Sequence, residues 1–351
     1  MLLNQTNLIA HLDTPILPSQ NLIYCATFQI VWNQLADEII KEPIALLENP
    51  LTAQVLNKRL FEKHELDEKN YLAMVGFGKD DIVEKIKRGL KEKFKRETKL
   101  DLKADALDIL SYAYLEKNLP FDTAFDVIDE PLRFAADTPV QSFGIWDGDA
   151  AKDQVVVLDY TNPDDFIIKL QASPKVDKAL AAGTPIQHAR ITDEIILAKV
   201  SPAATLLETV DAVFARTGAD NFKKARQAGD EEKIHLLMPF LDSTAKEKLQ
   251  IPKIDFDLLQ HFGELEGMHF SNPGFSSYII GQAIQAVKFQ LDETGAKLSA
   301  EGFLEGHFGV SESDPRRFIF DKPFLLCLRE KGAQHPYLVL WVDNSDLLVK
   351  A

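Results

Sequence analysis

The sequence contains very little cysteine: 351 residues include two, Cys25 and Cys327. Two cysteines cannot form the disulfide framework of small secreted domains, so the count favours a reducing compartment. Cys327 stands within the apolar run Phe324–Leu328, which predicts a buried thiol. The first 17 residues contain no Lys or Arg ahead of their apolar positions, unlike a signal peptide. We therefore expect a cytoplasmic protein, or one that is exported without a recognisable signal peptide.

Basic residues are fewer than acidic ones. The sequence has 39 Lys and Arg and 54 Asp and Glu, which gives a formal net charge of −15. Such an excess of negative charge disfavours phosphate backbones and anionic lipid as general partners. No apolar run is long enough to span a bilayer. We expect a monomer that binds neither nucleic acid nor membranes.

Known catalytic and metal-binding patterns are missing. Gly76-Phe77-Gly78-Lys79 lacks the third glycine and the Lys-Ser/Thr ending of phosphate-binding loops, so it predicts a turn. The segment His64–Glu68 reads HELDE rather than HExxH, and His261 and His269 have no companions at ligand spacing. Neither a nucleophile elbow nor a CxxC motif occurs. We expect no enzyme activity, no metal and no cofactor, although an enzyme on an unrelated α+β fold remains a remote alternative.

Hydrophobic periodicity changes along the chain. Helical spacing runs from Phe28 to Leu56, where Pro43 and Pro50 should divide it, and again from Asp81 to Glu97 and from Thr205 to Ala215. From residue 109 onward a period of two predicts many strands, among them Ile109–Lys117, Val155–Tyr160, Phe166–Leu170, Ala283–Leu291 and Tyr337–Asn344. Helices followed by strands favour one α+β domain over residues 1–351 rather than a repeating βαβ sheet.

Two shorter segments are assigned from weaker patterns. The stretch Lys233–Leu241 is predicted to be a strand. The stretch Asp257–Met268 is predicted to be a short helix with Leu258, Phe262 and Leu265 on one face.

The predicted helix from Asp81 to Glu97 is unusually basic for so acidic a protein. The residues on its exposed side include Lys85, Arg88, Lys91 and Lys95. The simplest interpretation is the solvated face of an amphipathic helix, and the alternative is a docking site for an acidic partner.

A long connection near the C-terminus is the strongest functional indication. The strand that ends at Leu291 is followed by about two dozen residues before the next apolar strand at Phe318. Compact domains seldom contain such a connection unless it has a function.

This region resembles the C-terminal part of the serpins. The strand is followed by Asp292-Glu293-Thr294-Gly295-Ala296, then the loop, then Asp321-Lys322-Pro323-Phe324-Leu325. Earlier segments are similar to the same family in the same order, including NLIYCATF at Asn21 and the region around Phe121 and Phe134. The resemblance is to divergent, bacterial-type serpin-like proteins. It implies an α+β fold with large mixed and antiparallel sheets, helices gathered in the N-terminal part, and an exposed reactive loop at about 293–320.

In that family, a protease cleaves the loop and the freed hinge inserts into the main sheet as a new strand, which traps the protease. The corresponding hinge residues here are Glu293, Gly295, Ala296, Leu298, Ala300 and Gly302. Small or apolar side chains alternate with polar ones along this stretch, as an insertable strand requires. Leu298 is bulkier than the residue that the family prefers.

The resemblance places the scissile bond near Phe308-Gly309-Val310, with Arg316 and Arg317 as later candidates. It implies a serine or cysteine protease as the target. Several sheet-opening residues of the family are replaced here, by Cys25 and Ala26, by Ser111 and by Gln285. The alternative is therefore a non-inhibitory protein of this fold that binds a protein partner or a ligand.

Overall fold

The computed structural model describes residues 5–98, 102–106, 108–135, 138–146, 150–171, 193–217, 221–241, 246–296 and 315–351. The helices are α1 (Thr27–Gln34), which continues into a π-helix (Leu35–Ile40), α2 (Leu51–Leu56), α3 (Ile82–Phe94), α4 (Leu206–Thr217), α5 (Asn221–Ala228) and α6 (Glu231–Leu236). Single 3₁₀ turns lie at Lys63–Glu65, Glu68–Asn70, Gly78–Asp80, Lys152–Gln154 and Ser345–Leu347. None of these helices is both long and apolar enough to cross a membrane.

The strands are β1 (Thr6–Ile9), β2 (Asn21–Cys25), β3 (Tyr71–Phe77), β4 (Ile109–Leu115), β5 (Leu119–Pro120), β6 (Asp126–Phe134), β7 (Thr138–Ile145), β8 (Val155–Asn162), β9 (Asp165–Leu170), β10 (Asp193–Lys199), β11 (Lys248–Pro252), β12 (Ile254–His261), β13 (Ile284–Leu291), β14 (Gly295–Ala296), β15 (Arg317–Ile319), β16 (Phe324–Glu330) and β17 (Leu338–Val342). The predicted α+β class is confirmed. Helices α1 to α3 and the π-helix precede β4, whereas α4 to α6 form a second group after β10.

The largest sheet has seven strands in the order β1-β2-β17-β16-β10-β9-β8. Every residue of β2 and β17 is buried, because these central strands are covered on both faces. Cys327 lies in β16 and is fully buried, as its apolar surroundings predict.

A four-stranded sheet, in the order β15-β11-β7-β6, packs beside it. Aromatic contacts fix strand β15 and the residue that follows it, Phe320. The ring centre of Phe318 lies 5.3 Å from that of Phe166 in β9, and Phe320 lies 5.0 Å from the same ring. The chain that follows the long loop is therefore anchored to the main core.

Three two-stranded ladders complete the described strands: β3 with β4, β12 with β13, and β5 with β14. Helix α3 packs across β3 and β4, with Ile82, Ile86 and Leu90 buried against a face that includes Leu72 and Tyr112. The predicted helix of residues 81–97 is thus confirmed with slightly shorter ends.

Two predictions from weaker patterns are wrong. Residues 233–236 belong to helix α6, because Asp230 Oδ1 accepts a hydrogen bond from the Lys233 backbone N–H and caps the first turn. Residues 257–261 belong to strand β12, because they pair with β13, where Leu258 lies opposite Val287. Pairing with a distant strand outweighs the local helical pattern.

Candidate functional site

The hinge begins with a tight turn directly after β13. Asp292 and Gly295 exchange both backbone hydrogen bonds, each at 3.2 Å. Asp292 Oδ1 also accepts hydrogen bonds from the N–H and the hydroxyl of Thr294, at 2.8 and 2.6 Å. An aspartate that holds its own turn in this way is typical of Asx turns. The turn reverses the chain, so β14 runs antiparallel to β13.

Gly295 is required at the end of this turn. Its φ is +137°, and a Cβ at this position would lie 2.5 Å from the carbonyl oxygen of Leu119 and 2.7 Å from the Cα of Pro120. Any side chain would collide with backbone atoms that cannot move aside. The glycine therefore permits close contact between the hinge and β5.

Hydrogen bonds hold the hinge against β5 and the residues after it. The Phe121 N–H donates to Thr294 O and the Phe125 N–H donates to Glu293 O, both at 2.9 Å. Ala296 lies opposite Leu119 and is 3% exposed. The first inward residue of the predicted insertable alternation is thus buried in this structure.

Strand β4 has an open edge on the side away from β3. The Glu116 N–H donates to Asn70 O and the Gly78 N–H donates to Asp108 O. These two bonds show which alternate residue pairs of the β3–β4 ladder are hydrogen-bonded to each other, and this alternation is the phase of the ladder. In that phase the backbone groups of Ser111, Ala113 and Leu115 point away from β3. Within the described chain these groups have no backbone partner, and β4 and β13 share no ladder.

Buried polar side chains lie on β13 and β4. Gln285 of β13 is buried, and its Nε2 donates to Cys25 O and to Thr27 Oγ1, each at 2.8 Å. Its Oε1 is buried without a hydrogen-bond partner in the described chain, as is Ser111 Oγ of β4. These are two of the positions at which the sequence departs from the serpin pattern. Gln285 therefore links β13 to the start of α1 by side-chain hydrogen bonds.

Three ion pairs near the hinge, two of them formed by Lys117, were not predicted from the sequence. Lys253 Nζ lies 2.6 Å from Glu293 Oε2 and ties the turn to the residue that precedes β12. Lys117 Nζ, nearly buried, contacts Asp193 Oδ1 at 2.8 Å and Glu330 Oε1 at 2.5 Å. These partners are far apart in the chain, so no local pattern indicates them.

The far end of the loop is anchored by Arg316. Its guanidinium pairs with Glu247 at 2.6 and 3.0 Å and donates to the carbonyls of Leu236, Met238 and Phe240 at 2.8–2.9 Å. The side chains of Arg316 and Glu247 are 2% and 1% exposed, so the ion pair is buried. A protease pocket cannot reach Arg316 in this arrangement, whereas the Arg317 side chain is exposed. Of the two arginine side chains, only that of Arg317 is exposed, and its role in cleavage remains a prediction.

The other predicted loop residues lie outside the described part of the chain. They are Leu298, Ala300 and Gly302 of the hinge and Phe308, Gly309 and Val310 of the scissile region. Their roles remain predictions.

The predicted basic helix is α3, and its cations are exposed. Lys95 Nζ donates to Glu92 O at 2.9 Å. In the residues that the structure describes, Lys85, Arg88 and Lys91 have no ion partner. Successive steps of three residues place these three cations along one side of the helix.

The thiols of Cys25 and Cys327 are both buried. Burial raises the pKa of the Cys25 thiol and that of the Cys327 thiol, so both stay protonated. In the described ranges no cluster of three His, Cys, Asp or Glu side chains could hold a metal ion.

Comparison by sequence finds neither a matching protein-family model nor a matching curated protein. Comparison by structure does find matches. Human thyroxine-binding globulin complexed with thyroxine aligns with 93% of this chain and 92% of its own, at a TM-score of 0.50 and 10% identity. Native protease nexin-1 with heparin gives a TM-score of 0.47 and 11% identity over 93% and 92% of the two chains.

Serpin48, a highly specific serpin of the insect Tenebrio molitor, gives a TM-score of 0.46 and 11% identity over 92% and 91% of the two chains. The alignment with thyroxine-binding globulin covers nearly all of both chains, and the chain has the serpin fold. At this identity the likeness concerns the fold alone.

Proposed function

We propose that this protein inhibits serine or cysteine proteases by cleavage of the loop after β14 and insertion of the freed segment between β4 and β13. The nucleophile of the protease attacks the scissile carbonyl, the peptide nitrogen leaves with a proton, and an acyl-enzyme remains. The inhibitor supplies no catalytic group. Its contribution is a new strand whose backbone hydrogen bonds form only after cleavage.

The observation that carries the proposal is a match between two hydrogen-bond patterns, that of the hinge with β5 and that of the open edge of β4. Thr294 O accepts from Phe121 N–H, so a strand continued from β14 offers its backbone groups at every second residue. Continued without a bulge, that register brings Ala300 opposite Leu115 and Gly302 opposite Ala113. The unpartnered backbone groups of β4 lie at those positions. The hinge is thus in phase with the edge that it would fill.

Side-chain chemistry supports the same register. Ala296 already faces the core, so Leu298, Ala300 and Gly302 would follow on the core side. Two of these three residues are small enough for a packed interior. Leu298 costs about 1–3 kcal/mol if no space exists for it.

A second candidate function is partner binding without inhibition. Ser111 Oγ is already buried without a hydrogen-bond partner in the described chain, and insertion in this register would place Leu304 opposite it. The apolar Leu304 side chain offers no partner, so insertion would leave this hydroxyl unsatisfied. Lys85, Arg88 and Lys91 of α3, which have no ion partner among the described residues, supply a surface for an acidic protein.

The test is thermal unfolding before and after proteases of differing specificity cut the segment 303–317, with a denaturing gel alongside. A higher melting temperature together with a protease-sized covalent adduct supports inhibition by insertion. A higher melting temperature without an adduct supports an insertable loop that traps no protease of the panel. An unchanged melting temperature and no adduct contradict insertion and favour the second candidate.

A further inference from the structure

A cleft of about 340 Å³ lies on the opposite side of the β3–β4 ladder from the hinge. One wall is formed by the end of α1 and the π-helix, and another by residues 59–68. The third wall is the outer edge of β3 at Tyr71, Leu72 and Ala73. Its volume is within the range of ligand-binding clefts in proteins.

The β3 edge in this cleft has unused backbone groups. The phase of the β3–β4 ladder directs the N–H and C=O groups of Ala73 and Val75 away from β4. No other backbone group of the described chain bonds to them. At one end of the edge, Lys93 Nζ donates to Tyr71 O at 2.6 Å. An edge with free donors and acceptors pairs with an added strand.

The facing wall is rich in hydrogen-bond acceptors. Gln34 Nε2 donates to Glu38 Oε1 at 3.0 Å, which orients the amide. Gln34 Oε1 is then buried with no hydrogen-bond partner among the described residues. Glu38 and Glu68 are exposed, and neither forms an ion pair in the part of the chain that the structure describes. Within the described ranges, Gln34 Oε1 thus lacks a hydrogen-bond donor, and the carboxylates of Glu38 and Glu68 lack a cationic partner.

The remaining charges of the cleft are mostly engaged. Arg59 binds Asp37 at 2.6 Å and Glu62 at 2.8 Å, and its single positive charge offsets one of these two negative charges. Lys93 is directed to the Tyr71 carbonyl, and Lys63 lies exposed at the rim. The net charge of −15 adds a field that attracts cations.

From these observations we infer that the cleft binds an extended peptide segment of a partner protein that carries lysine or arginine. The segment adds to the outer edge of β3 as a strand. Its basic side chain pairs with Glu38 and Glu68. This site uses the edge opposite to the one assigned to the loop, so it stands independently of inhibition.

The probe is a fluorescein-labelled peptide of about eight residues in which Thr and Lys alternate. Its matched control alternates Thr and Glu. Binding is followed by fluorescence anisotropy with the full chain at about 0.15 M salt. We expect saturable binding of the basic peptide and none of the acidic one. Equal binding of the two peptides, or none of the basic one, would overturn the inference.

Two variants locate the site. Ala73→Pro removes the outward N–H and blocks the edge without removing a β3–β4 hydrogen bond, so we expect about tenfold weaker binding. Ala113→Pro, directly across the ladder, is the control and should bind as the wild type does. Unchanged binding by Ala73→Pro would overturn strand addition.

The double variant Glu38→Gln and Glu68→Gln tests the charges and leaves the backbone untouched. We expect binding to weaken about tenfold, and unchanged binding would contradict the assigned role of these carboxylates. Sedimentation tests a second copy as the occupant. Self-association that Ala73→Pro abolishes would assign the edge to the protein itself and overturn the peptide proposal.

Discussion

Ala73 and Ala113 lie directly opposite each other in the β3–β4 ladder, and their N–H groups point to opposite outer edges. One edge borders the cleft of the π-helix, and the other is the edge that the proposed insertion would fill. A substitution at either alanine therefore blocks one edge and leaves the other open. This geometry provides matched variants for two separate functions.

Ala113→Pro should prevent insertion of the cleaved loop. The proline removes an N–H that an inserted strand needs and places a ring at its edge, while the β3–β4 hydrogen bonds remain. We expect most of the rise in melting temperature after loop cleavage to disappear. The Ala73→Pro variant, measured in the same way, should keep the rise, and a full rise in Ala113→Pro would contradict the proposed register.

Gly295→Ala should separate the hinge from β5. The added Cβ would lie 2.5 Å from Leu119 O at a φ of +137°, so we expect a loss of about 1–3 kcal/mol in the free energy of unfolding. Urea denaturation measures this loss in the free energy of unfolding. Gly281→Ala is the control, because a Cβ there meets no atom within 4 Å, and it should change stability by no more than about 0.5 kcal/mol.

Local periodicity predicted the elements whose faces differ clearly in burial. Val287, Phe289 and Leu291 alternate with more exposed residues, and they form β13 as expected. Ile82 and Ile86 likewise mark the buried side of α3. Residues 233–236 were misassigned because their apolar pattern is short, and Asp230 after Gly229 was the cap signal that indicated a helix.

The site could be predicted only where its determinants are close in sequence. Asp292 and Gly295 lie within one turn, so their motif indicates the hinge directly. Arg316 was predicted as a candidate cleavage residue, although its acceptors come from residues 236–247 of a distant segment. The same limit explains Lys117, whose partners lie 76 and 213 residues away. Long-range ion pairs leave no local pattern.

Removing the cations of α3 should separate partner binding from folding. The triple variant Lys85→Gln, Arg88→Gln and Lys91→Gln changes exposed side chains only, so stability should change by no more than about 0.5 kcal/mol per site. If α3 binds an acidic partner, wild-type protein should bind polyglutamate in a salt-dependent way and the variant should not. Equal binding by both proteins would contradict this role.

Stability in acid should depend on Asp164, in the turn between β8 and β9. Hydrogen bonds from Lys199 at 2.8 Å and Lys322 at 2.6 Å lower the pKa of Asp164 below its ordinary value of 3.8. A lowered pKa stabilises the fold above the ordinary value, and this contribution is lost as pH falls through the folded-state pKa. Asp164→Asn should therefore be less stable than wild type near neutral pH and equal to it in strong acid.

Urea midpoints measured across the acid range test this expectation. Asp153→Asn is the control, because Asp153 is exposed and has no ion partner in the described ranges. A difference between Asp164→Asn and wild type that stays constant with pH would contradict the electrostatic explanation.

Arg316→Ala should be the most destabilising of these substitutions. It leaves Glu247 buried without its guanidinium and removes the donors to three carbonyls, so we expect a loss of about 3–5 kcal/mol. Arg317→Ala is the control, because that side chain is exposed and only its backbone N–H is bonded, to Tyr160 Oη. Urea denaturation of both variants measures the difference. Equal stability would contradict an anchoring role for Arg316.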